Sequence, residues 1–402
     1  MARLEVTLPA WGSVEAIQHA GDLPPFGALQ LGFATALSRQ LTTNPAVRLY
    51  PELVALGFWL RAANVRRLAD RFTTTHKGET HLPRGIVFHV APSNVDTIFV
   101  YSWVLSLLCG NRNLIRISSR QSPQTAVLLD LLRGLFEEPA WHAIAARTLV
   151  VRYEHDAGIS KRLSALCDMR VLWGGDATIA ALRAFAIAPH ATELAFANKF
   201  SLCVLDARAV PAASPSTLAD LARGFYTDAY WFGQMACSSP RLVLWVGSPN
   251  QLEPARSVFW SAVARELDSR GEQVGAADAM NKEVAVDALA IEVGDVHIDA
   301  FDPRMTRVAL GHATVRDDLH CGAGLFHEAR IDTLDELQPH LTRKIQTVTH
   351  FGLETTAWHE FLTTRLPAGI DRVVPIGQAL DFETVWDGLD LPSAFLRQVI
   401  IR

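Results

Sequence analysis

The sequence contains little cysteine: five residues among 402, at positions 109, 167, 203, 237 and 321. The number is odd and no pair shows Cys-x-x-Cys spacing, which argues against a disulfide framework and against a zinc site. We therefore expect no metal and a reducing compartment, the cytoplasm.

Long apolar runs, a leader and a surplus of positive charge are lacking too. The most apolar segment, 97–109, is well short of the ~20 residues of a membrane span and predicts a buried helix. The N-terminal residues MARLEVTLPAW carry no apolar run after their arginine, so we expect neither a signal peptide nor secretion. A net charge of -5 and a pI near 6.3 provide no basic surface for nucleic acid or an anionic membrane.

The composition is that of a globular protein with a large core. Hydrophobic residues make up 49% and charged residues 20% of the chain, and 402 residues predict two domains. Residues 1–80 show helical patterns at 26–41 and 51–72, and we assign no function to them.

From residue 85 onward, strand and helix patterns alternate. Predicted strands cover 86–90, 114–117, 148–153 and 169–173, and predicted helices cover 96–108 and 123–136. This alternation is typical of a doubly wound parallel sheet, whose ligand crevice lies at the carboxyl ends of the strands. Asn94, Ser118 and Gly174 fall at such ends.

Two glycines follow the strand at 169–173 and precede a predicted helix. Gly174 and Gly175 would let the backbone approach a phosphate at the helix N-terminus. The alternative is a tight turn in which Asp176 is the N-cap, and this carboxylate would also repel a pyrophosphate.

Cys237 is the candidate nucleophile. It lies among small residues in Gln234–Pro240, between a helix that begins at Ser214 and a strand at 241–246. A thiol on such a connection is accessible to substrate, whereas Cys109 and Cys203 lie in a helix and a strand and are predicted to be core residues. Cys321, in a glycine-rich loop, is the competing candidate.

The second half of the chain begins with a strand at 201–206 and an Ala/Pro/Ser-rich loop at 207–216, where we place the domain boundary. A helix at 252–267 and a strand at 345–349 follow. The predicted division is 1–206, 207–379 and a C-terminal tail, 380–402, which packs back or lies at an oligomer interface.

Several motifs in this order carry a resemblance to a known family. They are Trp173-Gly174-Gly175-Asp176, Gln234 to Pro240, Lys344-Ile345-Gln346-Thr347, Gly369-Ile370-Asp371-Arg372 and Trp386-Asp387-Gly388. From about residue 85 to the C-terminus, the chain resembles the aldehyde dehydrogenase superfamily, and more closely its LuxC-type long-chain acyl-CoA reductases. The resemblance implies an α/β fold with a Rossmann-like NADP-binding domain, an α/β catalytic domain carrying the cysteine, and a homo-oligomer (dimer or tetramer).

The resemblance also implies a mechanism. Cys237 as thiolate attacks an acyl thioester, coenzyme A leaves, and hydride from a nicotinamide cofactor reduces the acyl-enzyme to an aldehyde. Asn94 matches the family's oxyanion-hole asparagine, which acts with the backbone N–H of Cys237; the alternative is that Asn94 bonds its own turn. A carrier-protein thioester remains open as the acyl donor, and the rival class is a non-catalytic thioester-binding or scaffold protein.

For the cofactor, the resemblance directs attention to the residues that follow the strand at 114–117. The superfamily usually carries a lysine where this chain has Arg116, and many members that prefer NAD carry a glutamate where it has Ser119. With Arg116 and Arg120 flanking Ser118 and Ser119, and Trp173 to Asp176 on the neighbouring unit, we expect NADPH to be preferred over NADH. The alternative is that both arginines are solvated surface charges.

The second functional alternative is an ordinary aldehyde dehydrogenase, which takes its general base from a glutamate four residues before a lysine. Counting back from Lys199 reaches Ala195, and Glu193 is two residues farther. The glycine-rich loop around Cys321 could border the nicotinamide. Family members commonly carry a glutamate near this position, and this chain has none at the matching place. His312, His320 and His327 could donate a proton to the departing sulfur.

Overall fold

The computed structural model describes residues 4–92, 98–119, 122–299 and 302–402. The chain divides into two compact units. Unit 1 comprises Met1–Ala197 and Phe382–Arg402, and unit 2 comprises Asn198–Asp381. Throughout the described residues, every helix is too short or too polar to cross a bilayer.

The first segment of unit 1 alternates helices and strands. In chain order they are β1 Glu5–Leu8, α1 Val14–His19, α2 Ala28–Thr43, α3 Pro51–Trp59, α4 Ala62–Thr75, β2 Thr80–Pro83, β3 Ile86–Val90, α5 Ile98–Leu108, β4 Arg112–Arg116, α6 Pro123–Glu137, α7 His142–Ala145, β5 Thr148–Arg152, α8 Ala157–Leu166, β6 Met169–Trp173, α9 Asp176–Arg183 and β7 Thr192–Phe196.

Unit 2 repeats the alternation, and the chain then returns to unit 1. The elements of unit 2 are β8 Phe200–Asp206, α10 Ala209–Ala212, α11 Pro215–Tyr230, β9 Pro240–Val246, α12 Pro249–Arg270, α13 Ala276–Val293, β10 Val296–Asp299, β11 Thr306–Leu310, β12 Leu325–Ile331, β13 Ile345–Phe351, α14 Thr355–Arg365 and β14 Arg372–Pro375. The C-terminal segment adds β15 Val385–Trp386, β16 Leu389–Asp390, α15 Leu391–Ala394 and β17 Leu396–Val399.

The main sheet of unit 1 has the strand order β1-β5-β4-β3-β6-β7. All neighbours are parallel except β1, which runs antiparallel to β5. Every residue of β3 is buried, and so is every residue of α5, whose apolar side chains occupy all its faces. Strands and helices of this composition require cover on all sides, as in a parallel sheet between helices. The predicted α/β, doubly wound fold is confirmed.

The order of the strands contains a reversal. From β3 the chain proceeds to β4 and β5 on one side, and then returns to β6 and β7 on the other side of β3. In such sheets, ligands bind where the order reverses, at the carboxyl ends of the two strands involved. The crevice is therefore expected beyond β3 and β6, where Gly174 directly follows Trp173.

Unit 2 contains a larger sheet of the same kind. Its order is β10-β11-β12-β9-β8-β13-β14, parallel except for β10 against β11. The central strands β8 and β9 are almost completely buried. The predicted boundary at 206/207 lies too late in the chain. Because β8 pairs with β9 and β13, it belongs to unit 2, and the division between the units lies at Ala197/Asn198.

The C-terminal segment belongs to unit 1, and its first residue is Phe382 rather than residue 380. β17 pairs antiparallel with β2, and the backbone carbonyl of Ala394 accepts a 2.7 Å hydrogen bond from Nε of Arg84. The ring of Phe382 stacks on Tyr101 at 5.4 Å between centroids. Backbone pairing and aromatic packing together hold this segment on unit 1.

A buried carboxylate connects α11 to the segment after β14. Asp228 is fully buried; its Oδ2 accepts the N–H of Gly377 at 2.6 Å and its Oδ1 the N–H of Ala379 at 2.9 Å. Burial raises the pKa of Asp228 to about 7, although the two backbone donors act in the opposite direction. A carboxyl whose pKa rises on folding stabilises the protein fully below its unfolded pKa, and this contribution is lost as the pH rises through the folded value.

The contribution of Asp228 to stability should therefore fall as the pH rises from 5 to 8. We expect the difference in unfolding free energy between the wild type and Asp228→Asn to shrink over this interval by about 1–3 kcal/mol, because each unit of pKa shift corresponds to about 1.4 kcal/mol. Urea unfolding at pH 5, 6, 7 and 8 measures it, with Asp220→Asn, an exposed position on the same helix, as the control. A difference that is constant or grows with pH would contradict the assignment.

Candidate active site around Cys237

Residues 231–239, the Cys loop, connect α11 to β9. Phe232, Gly233 and Gln234 have φ values of 55°, 58° and 65°, so the chain reverses through three left-handed residues. This conformation is unfavourable for phenylalanine and glutamine, and it persists only where the surroundings fix it. Strain of this kind is often found at functional sites.

The side chain of Gln234 holds the Cys loop in this conformation. It is fully buried, and its Nε2 donates to the carbonyl oxygens of Pro240 and Leu325, both at 2.9 Å. Its Oε1 accepts the N–H of Gly324 at 3.0 Å. The amide therefore ties the Cys loop to the start of β9 and to the start of β12, and all of its bonds are made in the interior, where they are strongest.

A second loop, residues 322–324, packs against the Cys loop. Gly322, Ala323 and Gly324 also have positive φ, and the N–H of Ala323 donates to the carbonyl of Gly233 at 3.0 Å. A Cβ at Gly324 would lie 2.1 Å from the carbonyl oxygen of Arg304, so glycine is required there. Within unit 2 this glycine-rich segment thus supports the Cys loop.

Cys237 is partly exposed, and neighbouring strands hold its backbone and its sulfur. Ser201 of β8 donates from Oγ to the carbonyl of Cys237 at 2.7 Å and accepts the N–H of Thr347 of β13 at 3.1 Å. Gln346, which is 3% exposed, donates from Nε2 to Sγ of Cys237 at 3.5 Å. An amide donor aimed at sulfur favours the thiolate, which is the nucleophilic form.

A buried cation is also coupled to this thiol. Arg241, the second residue of β9, is 7% exposed and its guanidinium lies 5.7 Å from the ring centre of Phe200. Burial lowers the pKa of Arg241, and the Cys237 thiol and Asp317 oppose that effect. An arginine remains charged in proteins, so this positive charge favours a negative charge on the nearby sulfur.

The histidines proposed as proton donors do not suit that role. Burial, followed by the charge of Arg241, lowers the pKa of His320 well below its usual value. Its Nδ1 accepts the N–H of Gly322, so its Nε2 donates to the carbonyl of Leu325 at 2.7 Å. Burial lowers the pKa of His327 to about 4, and His312 is exposed.

Three of the other four cysteines differ from Cys237 in burial. Cys109, Cys167 and Cys203 are buried, and burial raises the pKa of each thiol, for Cys167 to about 12. This places Cys109 and Cys203 in the core as predicted. Cys321 is partly exposed like Cys237, but burial raises the pKa of its thiol and Lys282 only partly opposes this.

Two of the motif segments meet in unit 2 through Lys199. Nζ of Lys199 donates to Oδ2 of Asp371 and to the carbonyl of Arg343, both at 3.0 Å. Lys344, the residue after Arg343, pairs with Asp317 at 2.8 Å. The motifs that begin at residues 344 and 369 are thus brought together at the start of β8.

The residues predicted to bind the cofactor lie at the carboxyl ends of β4 and β6 in unit 1. Because β3 lies between these strands and adjacent strands are ~4.8 Å apart, the two groups are about 10 Å apart along the sheet edge. The N–H of Gly174 donates to the carbonyl of Phe196 at 3.2 Å. Asn94 and Arg120 lie outside the described residues.

Trp173 contributes to the core rather than to a surface. Its ring stacks on Phe196 with centroids 3.9 Å apart, and its Nε1 donates to Oγ of Ser102 at 3.2 Å. Only 6% of the residue is exposed. The indole of Trp173 is therefore engaged in packing, and a contact of this residue with a cofactor stays a prediction.

The two glycines have space around them. A Cβ at Gly175 would meet nothing within 4 Å, a Cβ at Gly174 would make only ordinary contact with Thr178, and neither glycine has a positive φ. The turn therefore does not itself require glycine, and the space would admit a ligand. The alternative N-cap role of Asp176 is wrong: Gly175 is the N-cap and Asp176 is the first helical residue.

Positive charge gathers at the ends of β4 and β5. The guanidinium of Arg116 lies 4.7 Å from the ring centre of Tyr153, and its Nε has no partner among the described residues. Arg152 donates from Nε to the carbonyl of Ser118 at 3.1 Å, and Ser119 is exposed. The sequence analysis missed Arg152, which the parallel pairing of β4 and β5 brings to this edge.

Glu193 of β7 is engaged in ion pairs. Its carboxylate accepts Nε of Arg170 at 2.7 Å and Nε of Arg183 at 2.7 Å. Arg170 is 3% exposed and also donates to the carbonyl oxygens of Leu182 and Phe185. A carboxylate that pairs a buried guanidinium has a structural role, and its displacement would leave that charge unpaired.

Comparison with known proteins identifies the family and the fold of the chain. The family described as acyl-CoA reductase (LuxC) matches residues 61–287, which is more than half of the chain. The match begins before residue 85, where the motifs placed the start of the resemblance. A long-chain acyl-protein thioester reductase of Photorhabdus luminescens is 23% identical over 74% of this chain and 61% of its own length. One of Aliivibrio fischeri is 29% identical over 46% of this chain and 36% of its own. The chain thus spans about a third to three fifths of the relatives it matches.

Solved structures share the fold. An oxidoreductase from Marinobacter aquaeolei superposes with a TM-score of 0.67 at 11% identity, covering 96% of this chain and 89% of that one. Methylmalonate-semialdehyde dehydrogenase from Oceanimonas doudoroffii gives 0.65 at 14% identity, covering 96% and 88%. The fold is that of the aldehyde dehydrogenases, and the chain belongs to the LuxC family of acyl-CoA reductases.

Proposed function

We propose that this protein reduces an acyl thioester to an aldehyde through an acyl group carried on Cys237. The observation that supports this most directly is the setting of the sulfur: a partly exposed thiol with an amide donor from Gln346 at 3.5 Å and the buried charge of Arg241 coupled to it. A scaffold protein would require neither a strained loop nor a polarised sulfur, so the catalytic class is favoured.

In the first half-reaction the thiolate of Cys237 attacks the thioester carbonyl carbon and forms a new C–S bond. The tetrahedral oxyanion collapses, the donor's sulfur leaves and takes a proton, and the acyl group remains on Cys237. Ser201 fixes the backbone of Cys237 through its carbonyl, so attack requires little movement of the loop.

The second half-reaction needs two electrons, and a bound nicotinamide supplies them as hydride. The acyl carbon becomes a thiohemiacetal oxyanion on Cys237, the C–S bond breaks, and aldehyde leaves while the thiolate is restored. Overall, a thioester, NADPH and a proton give an aldehyde, a free thiol and NADP⁺. Gln346 and Arg241 stabilise the same negative sulfur at the start and at the end of this cycle.

The acyl donor is proposed to be a long-chain thioester on coenzyme A or on a protein. The relatives carry the words acyl-protein thioester reductase in their names, whereas the family description names acyl-CoA. Both donors present the same carbonyl to the thiol. The names of the relatives favour the protein-borne thioester, which the sequence analysis held as the alternative.

The residues of unit 1 fit a dinucleotide phosphate. Gly174 and Gly175 leave space at the N-terminus of α9, and helix N-termini favour negative charge. Arg116 and Arg152 would face a 2′-phosphate, and Ser119 stands where a carboxylate would repel it. We therefore propose NADPH as the preferred cofactor, with NADH as the second choice.

The runner-up, oxidation of aldehydes to acids, lacks a general base at the expected place. Position 195 is alanine, and Glu193 is bound by Arg170 and Arg183. General-base assistance typically contributes about 10²–10⁴-fold, so water should be a poor acceptor of the acyl group.

The first prediction of this proposal concerns products. Acyl-CoA or acyl-carrier protein with NADPH should give aldehyde and free thiol, and the reverse reaction with NADP⁺ should require an added thiol. Cys237→Ala should reduce turnover to background, whereas Cys321→Ala should retain it. Cofactor absorbance with chromatography of the products measures both directions; fast, thiol-independent formation of free acid would refute thioester reduction.

The second prediction concerns Arg241. Replacing it with methionine should slow iodoacetamide labelling of Cys237 at pH 7 by several-fold, because the thiolate loses a positive neighbour. Arg307→Met is the matched control: it is also the second residue of a strand, with its guanidinium 5.5 Å from the ring centre of Trp260. Equal labelling rates in the wild type and in both variants would contradict the role of Arg241.

The third prediction concerns cofactor choice. Arg116→Ala should raise KM for NADPH about 10- to 100-fold and leave KM for NADH nearly unchanged, since a charge-assisted hydrogen bond is worth about 1.5–3 kcal/mol. Arg133→Ala, an exposed arginine on α6, serves as the control. Initial rates at varied concentrations of each cofactor give the two KM values. A lower KM for NADH than for NADPH in the wild type would contradict the proposal.

A further inference from the structure

A cluster of metal-binding side chains lies in unit 1, outside the residues assigned to the reaction. His76 is the C-cap of α4, Glu79 lies in the following turn, and His81 is in β2. One ligand atom from each residue lies within 4.8 Å of the other two. In the described parts of the chain, these three form the group of His, Cys, Asp or Glu side chains that is close enough to hold a metal ion. The two imidazoles are largely buried, with 20% and 10% of their side chains exposed.

Both ring nitrogens of His76 are held by polar neighbours. Oγ of Ser393 donates its only proton to Oδ2 of Asp390, so it accepts from Nε2 of His76 at 3.3 Å. Nδ1 of His76 faces Oε2 of Glu79 at 2.8 Å. These contacts fix the ring with Nδ1 towards the carboxylate, where a shared ion would lie.

The hydrogen bonds of His76 resemble those that usually orient the histidine ligands of metal ions. Metal-ligating histidines usually donate their second ring N–H to a carboxylate or to another polar group, which fixes the ring and its tautomer. Here Nε2 of His76 reaches Asp390 through Ser393, and Nδ1 is directed at Glu79. The ring of Phe72 packs against both imidazoles, with centroids 4.6 and 5.3 Å away.

The distances suit one small ion. A tetrahedral zinc with bonds of ~2.0–2.1 Å holds its ligand atoms ~3.3 Å apart. Oε2 of Glu79 lies 2.8 Å from Nδ1 of His76 and 3.5 Å from Nε2 of His81, so small side-chain adjustments reach that geometry. We propose that His76, Glu79 and His81 bind a divalent transition-metal ion, with Zn²⁺ as the ion that fits best and a water molecule as its fourth ligand.

The position of the cluster gives the ion a structural role. His76 ends α4, whereas His81 lies in β2, where it is paired with Gln398 of the C-terminal strand β17. An ion bound to these residues would fix the turn between α4 and β2, the strand with which β17 pairs. Because Zn²⁺ would bind the folded chain and not the unfolded one, it should raise the thermal stability of unit 1.

The test is metal binding by the full chain, freed of metal by a chelator and then titrated with Zn²⁺. We expect one equivalent to bind by calorimetry and by native mass spectrometry, and a ~100-fold excess over the dissociation constant to raise Tm by about 5 °C. His81→Gln and Glu79→Gln should each weaken binding at least about tenfold, and Ser393→Ala should weaken it to a smaller degree. Co²⁺ should give the visible absorption of a site with nitrogen and oxygen ligands.

The matched control is His190→Gln. His190 also pairs with a carboxylate in unit 1, that of Asp168 at 3.2 Å, and its side chain is 72% exposed; Zn²⁺ binding should be unchanged by its substitution. Absence of stoichiometric binding in the wild type would overturn the proposal. Binding that survives His81→Gln but is lost after alkylation of Cys237 would place the ion on the thiol and overturn it too.

Discussion

The position of the reactive sulfur depends on one buried amide, that of Gln234. Three consecutive left-handed residues turn the Cys loop back on itself, and two of them are not glycine, so the loop would relax without a constraint. The side chain of Gln234 bonds the start of β9, the start of β12 and the 322–324 loop at once. Each net hydrogen bond contributes about 0.5–1.5 kcal/mol, and leaving such a group unpaired in the interior costs more. Glycines at 322 and 324 then permit the close approach of backbone that this arrangement needs.

Much of the fold was predictable because its signals are local. The predicted strand at 169–173 and the predicted helix start after Ser122 are correct to within a residue. A mostly apolar run and a Ser-Pro helix start are both properties of the sequence itself. The partly exposed position of Cys237 was predictable for the same reason: small residues between a helix and a strand mark an accessible connection. The boundary at 206 was wrong because β8 carries no sign of which sheet it joins; that is decided by pairing with β9 and β13, which are distant in sequence.

The partners of Cys237 could not be read from the sequence. Gln346, which contacts the sulfur, lies 109 residues away, and Ser201, which contacts the backbone carbonyl, lies 36 residues away. The parallel pairing of β8 with β9 and with β13 places them together. Arg241 follows Cys237 closely, but its burial appears only when Phe200 packs beside it. The packing of the Trp173 ring on Phe196 could not be read from its motif either. Burial and long-range pairing, which determine both cases, are properties of the fold and not of spacing.

The central claim is that the acyl group resides on Cys237, and peptide mass spectrometry after mixing the protein with an acyl thioester in the absence of cofactor tests it most directly. Without a hydride donor the cycle should stop after the first half-reaction, so we expect the acyl mass on the peptide that contains Cys237 and release of one equivalent of free thiol. Addition of NADPH should then remove the adduct as aldehyde. An acyl adduct on Cys321, or aldehyde formation from a protein whose Cys237 never becomes acylated, would contradict the claim.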